Sequence, residues 1–392
     1  MLNPSVTTLL LETIFFASTA LVAYHYLLYP GAVILLARFR RPGPPTQTRS
    51  GDGAQLPFVT MVIAAYNEER VIEGKLENTL SLDYPSERLR VIVAAHGSSD
   101  RTAELAGRFQ SHGVTVLHDP VRRGKTAALN RAVEAATSEI VLFSDANNHF
   151  NADALKQLVR HFDDPSVGGV CGLKQVYATA DRESAVGDGM YWRYESAIKI
   201  AESQLGSITT ADGEIFAIRR ALYRPLDESL INDDTAITIE LVRNNYRVLY
   251  EPAARSYEQA SIRIEDDFNV KVRMVSGGFQ TLSRYWRLLI PPRNAFAWAF
   301  FSHKVLRWLA VEFLILMLVC SLLLVAQPFF QVMLLAQVAF YLLAWIGWRL
   351  RKRRALPLAL YVPFYFCAMN LAALFGLYRH LSSTTQWKKA ER

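Results

Sequence analysis

Apolar positions follow two different patterns along the chain. Near both ends they form long, nearly unbroken runs. Residues 13–37 carry no formal charge, with His25 their one titratable imidazole; 309–326 carry one acid, Glu312; 328–348 and 355–378 carry none. About 20 apolar residues cross the hydrocarbon of a bilayer as a helix, so each run predicts a membrane span. The first is too long for a signal-peptide core and lacks a small-residue cleavage site. Between residues 57 and 260 the pattern changes to short apolar runs that end in polar clusters, separated by stretches of helical period. "FVTMVIAAYNEE" predicts a strand, followed by a helix to Leu80. "LRVIVAAHGSSD" repeats the plan, with Ser98, Ser99 or Asp100 available to cap a helix running to Ser111. "VTVLHD" is a short strand, 125–136 a helix and "EIVLFSDAN" the next strand. Strands alternating with helices predict a mostly parallel sheet with helices on both faces.

Charge sets the orientation. Arg38, Arg40 and Arg41 follow the first span, and Arg349, Arg351, Lys352, Arg353 and Arg354 separate the third from the fourth. Basic clusters beside spans stay cytoplasmic, which predicts that residues 38–308 lie inside and the N-terminus outside. Arg379, Lys388, Lys389 and Arg392 fall on the outer side by this count, against the same rule. The formal net charge of +7 and the 51% hydrophobic content fit an anionic small substrate and a lipid bilayer, with no nucleic acid expected. Three scattered cysteines, Cys171, Cys320 and Cys367, make neither a disulfide framework nor a zinc site.

In parallel sheets ligands bind beyond the carboxyl ends of the strands. Here those ends carry Tyr66-Asn67-Glu68, His96-Gly97-Ser98-Ser99-Asp100 and Asp145-Ala146-Asn147. Each alone could be helix capping; three in one sheet point to an assembled site. Asp145 and Asn147 lie two apart, a spacing that faces one side of a strand, and their oxygens suit Mg2+ or Mn2+. Such an ion usually arrives with a diphosphate, and Arg122, Arg123 and Lys125 are near in sequence. "RRGKT" is not a nucleotide-triphosphate loop, because Asp119 stands where that motif needs glycine, and no dinucleotide GxGxxG follows the first strand. The adjacent acids Asp233 and Asp234 would raise each other's pKa if buried, poising one as a base, or else merely begin a helix.

The strings "VTMVIAAYNEE", "HGSSDRT", "RRGKTAALN", "VLFSDAN", "GEIFAIRR" and "INDDTAI" resemble, in order and spacing, the family 2 glycosyltransferases. The likeness is to their membrane-integrated branch of cellulose, chitin and hyaluronan synthases, over about residues 58–308. The resemblance implies an α/β GT-A (Rossmann-like) cytoplasmic domain with an α-helical transmembrane region. It also implies inverting transfer of a sugar from a nucleoside-diphosphate donor, with uridine the expected base, to a growing polysaccharide exported through a multi-pass protein of a bacterial inner membrane. By the same resemblance Tyr66, Glu68, His96, Lys125 and Asp145 bind the donor, Asp145 and Asn147 the metal, and Asp212, Gly213 and Glu214 border the acceptor. Asp234, with Asp233 beside it, supplies the base. Three positions depart from the family's pattern: His96 replaces an acid that contacts the nucleobase, Asn147 replaces the second metal-binding acid, and "VKVRMVSGGFQTL" stands in place of Gln-x-x-Arg-Trp. Lys271 and Arg273 are candidates for its diphosphate contacts.

The expected domains are a transmembrane helix in 1–40, the GT-A domain in 41–260, amphipathic interfacial helices in 261–308 and three transmembrane helices with a tail in 309–392. Two alternatives stay open: a non-processive transferase to a polyprenyl-phosphate lipid, and an inactive sugar-nucleotide sensor or assembly subunit.

Overall fold

The computed structural model describes residues 4–40, 56–177, 184–259, 264–289, 294–351 and 356–382. Arg41, Lys352, Arg353, Arg354, Lys388, Lys389 and Arg392, used above for orientation, lie outside the described residues. The chain divides into two compact units, one of Met1–Val33, Ala180–Asp188 and Ser261–Arg392, the other of Ile34–Thr179 and Gly189–Ala260.

The second unit is built on an eight-stranded mixed sheet of order β3-β2-β1-β4-β7-β6-β8-β5. The strands are β1 Val59–Ala64, β2 Leu89–His96, β3 Val114–Asp119, β4 Ile140–Asp145, β5 Asn148–Phe150, β6 Val167–Tyr177, β7 Phe216–Arg219 and β8 Arg247–Gln259. β3, β2, β1 and β4 pair in parallel, as expected; β4–β7, β6–β7 and β5–β8 are antiparallel, so the second half departs from the predicted parallel plan. Val59, Met61, Ile63, Val91, Val93 and Leu142 are buried in one core that includes Ile72 and Leu76 of helix Ile72–Leu80. Burial on both faces is why β1 and β4 read as continuous apolar runs. The helix expected to reach Ser111 ends earlier, at Gly107; a short 3₁₀ turn, Gln110–His112, then stops at Gly113 with φ 82°, a conformation glycine reaches without strain. The chain runs outward from β1 through β2 to β3, then returns to lay β4 on the other side of β1. This reversal opens a crevice at the carboxyl ends of β1 and β4.

The first unit is helical. Among the described residues three helices are long and apolar enough to cross a membrane: Ser5–Phe39, Pro328–Leu350 and Leu358–Leu381. The first begins before the expected residue 13 because Glu12 does not interrupt it: its Oε1 accepts a hydrogen bond from Gln327 Nε2 at 2.8 Å. A carboxylate with a polar partner is tolerated in a span where a lone one is not. The expected span 309–326 holds one helix, Ala310–Leu323, whose 14 residues are too few to cross alone. Ala295–Trp308 and Ala310–Leu323 pass the test for a span only together, bent by 56°, where Leu309 leaves helical geometry at φ −93°, ψ 1°. The aromatic and basic stretch expected at the interface is thus half of a broken span or a re-entrant pair.

Two π-helical turns, Tyr24–Leu28 and Phe301–Val305, meet in this unit. His25 Nδ1 donates to the Ser302 carbonyl oxygen at 2.9 Å, and the Tyr24 and Ser302 hydroxyls lie 2.8 Å apart. Lys271 and Arg273 lie on helix Ile264–Leu289 of the same unit.

Candidate active site

The crevice of the sheet unit gathers most of the residues the sequence singles out. At the end of β1, Asn67 takes a left-handed φ of 53°, open to asparagine at low cost. Its Oδ1 accepts from Ser99 N at 2.9 Å and its backbone N–H reaches Ser98 Oγ at 3.2 Å. Glu68 N donates to Thr102 Oγ1 at 2.7 Å, and Glu69 N to Asp100 Oδ2 at 3.1 Å. Asp100 also accepts from Thr102 N at 3.0 Å, but the N-cap position is Arg101, without a side-chain cap, so none of the three expected residues occupies it. The β1 and β2 ends are therefore tied into one wall. On it the Arg122 guanidinium lies over the Tyr66 ring, 4.2 Å from its centroid.

His96 ends β2, 6% exposed. Its Nε2 sits 3.4 Å from Arg131 Nη1 and its buried Nδ1 has no hydrogen-bond partner. Burial first, then the Arg131 charge, holds this imidazole below the usual histidine range and so neutral. Where the family has an acceptor-only acid, this chain offers a neutral ring.

Asp145 is the last residue of β4, and its Oδ1 accepts from Lys125 Nζ at 2.8 Å. Lys125 opens helix Lys125–Ala135. Burial works against its charge, but Asp145, Asp233 and Asp234 outweigh it and hold the ammonium above its ordinary value. Asn147 lies not on the strand but in the turn between β4 and β5. Its Nδ2 donates to Glu258 Oε1 at 2.8 Å. Because a carboxylate accepts, this contact fixes the amide's orientation and leaves Oδ1 for a cation. Asp145 and Asn147 thus answer to different partners, rather than pairing on one strand face as the spacing predicts.

The acids Asp233 and Asp234 open helix Asp233–Arg243. Both Asp234 oxygens accept backbone hydrogen bonds, Oδ2 from Gly213 N at 3.1 Å and Oδ1 from Thr235 N at 2.6 Å. Burial, then the neighbouring Asp233, pushes its pKa up to about 6, with Lys125 opposing. A Cβ added at Gly213 would stand 3.3 Å from Asp234 Cβ and 3.4 Å from its Oδ2, a tight contact to which Asp234 would have to yield by a few tenths of an ångström. Asp212 Oδ2 accepts from the buried Lys199 Nζ at 2.6 Å. Glu214 is buried and paired with Lys174, which also pairs with Glu258.

Sequence reasoning missed Lys75, Lys174, Lys199 and Glu258. Lys174 and Glu258 lie in strands whose ladder neighbours are far away in sequence, and Lys75 and Lys199 sit in helices where lysine ordinarily signals solvent. Lys271 and Arg273 belong to the helical unit, and the cluster built within the sheet unit does not include them.

A divalent ion fits the donor set in one way. Among the described residues no three His, Cys, Asp or Glu side chains converge as a metal site. Asp145 and Asn147 supply hard oxygens, the kind Mg2+ and Mn2+ prefer; the remaining ligands must come from substrate and water. The arrangement suits a diphosphate-bound ion beside a lysine, with a poised carboxylate close to both.

Residues 60–226 match the glycosyl transferase family 2 model. A poly-beta-1,6-N-acetyl-D-glucosamine synthase of Staphylococcus epidermidis is 29% identical over 241 residues, 59% of this chain and 57% of that protein. One from Staphylococcus aureus strain COL is 29% identical over 238 residues, again 59% of this chain and 57% of that protein. The match thus spans little more than half the length of these relatives. A mannosyltransferase from Pyrobaculum calidifontis, solved with GDP-Man and Mn2+, superposes with TM-score 0.74 at 22% identity, covering 95% of this chain and 99% of that one. That likeness is one of fold; the sheet unit has the GT-A fold.

Proposed function

We propose, from the match of residues 60–226 to the glycosyl transferase family 2 model, that this membrane protein transfers a sugar, with inversion, from a nucleoside diphosphate to a hydroxyl of a growing polysaccharide. The observation that carries this reading is Asp234: a buried carboxylate that accepts from two backbone N–H groups, its pKa raised by burial and by Asp233 to about 6, beside the Lys125–Asp145 pair.

The donor's nucleoside lies against the wall of Tyr66 and Glu68, with the base toward His96. Its diphosphate lies at Lys125, whose ammonium offsets the negative charge that grows on the leaving group. Asp145 and Asn147 would hold Mg2+ or Mn2+. When bound, the ion supplies further charge neutralisation to the diphosphate, so that it departs without a proton. Asp234 accepts the proton of the acceptor hydroxyl, and a pKa of about 6 leaves it mostly ionised at neutral pH while still basic enough to take that proton. Asp233 raises that basicity from the next position, and Asp212, Gly213 and Glu214 border the acceptor.

The staphylococcal relatives make a polymer of N-acetylglucosamine the first product to seek, and GDP-mannose is the second donor to try. The domain plan of 1–40, 41–260, 261–308 and 309–392, with the sheet unit cytoplasmic, belongs to this reading. A second reading, single transfer to a lipid-linked acceptor, rests on the small number of candidate spans, three or up to four among the described residues, and on "VKVRMVSGGFQTL" standing in place of Gln-x-x-Arg-Trp. Purified protein incubated with Mn2+ and a panel of nucleotide sugars tests both. Release of nucleoside diphosphate that Asp234→Asn abolishes supports transfer, and product length on a gel separates polymer from single addition. No release from any donor would refute the enzyme reading and leave the sensor alternative.

A further inference from the structure

Lys75, on helix Ile72–Leu80, is fully buried. Its Nζ donates to Asn148 Oδ1 at 2.8 Å and lies 3.9 Å from the centroid of the Phe150 ring. Asn148 is the residue after Asn147, and it is the start of a hydrogen-bonded circuit. Asn148 Nδ2 donates to the Glu214 carbonyl and to Ser256 Oγ, each at 2.9 Å. Ser256 Oγ donates to Glu214 Oε1 at 2.7 Å. Lys174 bridges Glu214 Oε2 and Glu258 Oε2, and Glu258 Oε1 accepts from Asn147 Nδ2, which closes the ring at the neighbouring peptide. Ser144 Oγ donates to Asn148 Oδ1 at 3.0 Å. The ring holds two carboxylates, Glu214 and Glu258, against Lys174 and Lys75.

We propose that Lys75 is a positioning residue: through Asn148 it fixes the turn that carries Asp145 and Asn147, and its charge balances the ring, so that it sets the affinity for a metal–nucleoside diphosphate. A burial cost this large is sustained only by specific partners, and the partners lead to the donor turn on one side and to Glu214 on the other. The charged and titratable groups facing Lys75 are Glu214 and Asp145, which favour its ammonium, and His149, whose protonated form it disfavours. Burial wins, and the pKa is lowered to about 7. Below that the ring is balanced; above it one negative charge is left over, and the neutral amine donates to Asn148 Oδ1 only a weaker hydrogen bond that has lost its charge assistance. A metal–nucleoside diphosphate is net negative, so loss of the ammonium and loosening of the turn both weaken its binding.

The inference rests on Asp145 and Asn147 as the metal–diphosphate residues. Its test is calorimetric titration of the full-length protein in detergent with UDP and with GDP, each with Mn2+, between pH 6 and 8.5. The wild type should bind about tenfold more weakly at the upper end, the effect of one pKa unit of coupling. Lys75→Met should be weak and flat across the range, and Lys75→Gln, which can still donate to Asn148, flat but tighter than Lys75→Met. Independently of any nucleotide, amides 145–150 should exchange faster in Lys75→Met. A wild-type affinity unchanged with pH, or a folded Lys75→Met with wild-type exchange at 145–150, overturns the proposal. Faster exchange with no binding of either diphosphate at any pH would instead sink the donor-site reading while leaving the positioning role.

Discussion

Asn147→Asp restores the second acid of the metal-binding pair, and the structure sets what that should do. The amide now donates to Glu258 Oε1 across 2.8 Å, and Glu258 is 4% exposed. The aspartate would turn this hydrogen bond into a contact between two carboxylates. Unit charges about 4 Å apart at an effective dielectric of about 20 repel by about 4 kcal/mol. Lys174, already on the other Glu258 oxygen, screens part of this, leaving ~2 kcal/mol by the same arithmetic. In the metal-free protein that repulsion is a loss of stability; a bound divalent ion relieves it. Both the added charge and the relief therefore pull the ion in, and ~2 kcal/mol is roughly a thirtyfold tightening. Thermal unfolding and activity titrations with Mn2+ measure the two halves. The variant should unfold at lower temperature without metal, regain most of the difference with Mn2+ and UDP or GDP, and reach half-maximal activity at a lower metal concentration. Asn147→Ala should raise that concentration or abolish turnover, and in the wild type metal and donor should bind cooperatively. Equal unfolding temperatures and equal metal requirements in all three proteins would refute both the ligand role of Asn147 and the charge argument at Glu258.

Asp234→Asn should lower turnover by about two to four orders of magnitude with much less effect on donor binding; a near-normal rate, with Asp233→Asn inactive instead, would reverse the assignment. Wild-type turnover should fall as pH drops through about 6, because Asp234 is then protonated and cannot accept the acceptor's proton; an acid limb near pH 4 would refute the raised pKa. Gly213→Ala should reduce kcat more than donor affinity, since the new methyl presses on Asp234 and not on the nucleoside wall; equal losses in both would place Gly213 elsewhere in the mechanism. In a cysteine-free background, cysteines at Arg38 and Arg351 should resist an impermeant thiol reagent in intact cells and react in inverted vesicles, and labelling of either from outside would overturn the orientation.

What could be read in the sequence was local. The ends of β1, β2 and β4 announce themselves because a buried strand must turn polar as it leaves the sheet, and Lys125, Asp145 and Asp234 fall together as that pattern implies. The reason for an amide at 147 was not legible. It depends on Glu258, which is brought near only by the β5–β8 pairing. Lys75 was hidden for the opposite reason: its helix has an ordinary amphipathic pattern, and nothing in "EGKLEN" marks the lysine as the buried member. Glu12 and the break at Leu309 show the limit of hydropathy, which registers a charge but neither its partner nor a change of direction between two helices.

The two π-helical turns add a constraint of phase. Each holds one residue more than the α-helical turn it replaces, and one residue corresponds to about 100° of rotation and about 1.5 Å of rise. In the first helix, Phe15 packs on Cys320, Leu324 and Phe330 on one side of the turn, while beyond it the Tyr29 ring lies tilted against that of His303, with centroids 6.2 Å apart. Deleting one residue among 24–28 would straighten the helix into regular geometry and swing one of those faces away from its partner. The extra residue therefore acts as an indexing step between two halves of a helix. Its counterpart at 301–305 meets it through His25 and Ser302, so length changes at the two places should be tolerated together and resisted singly.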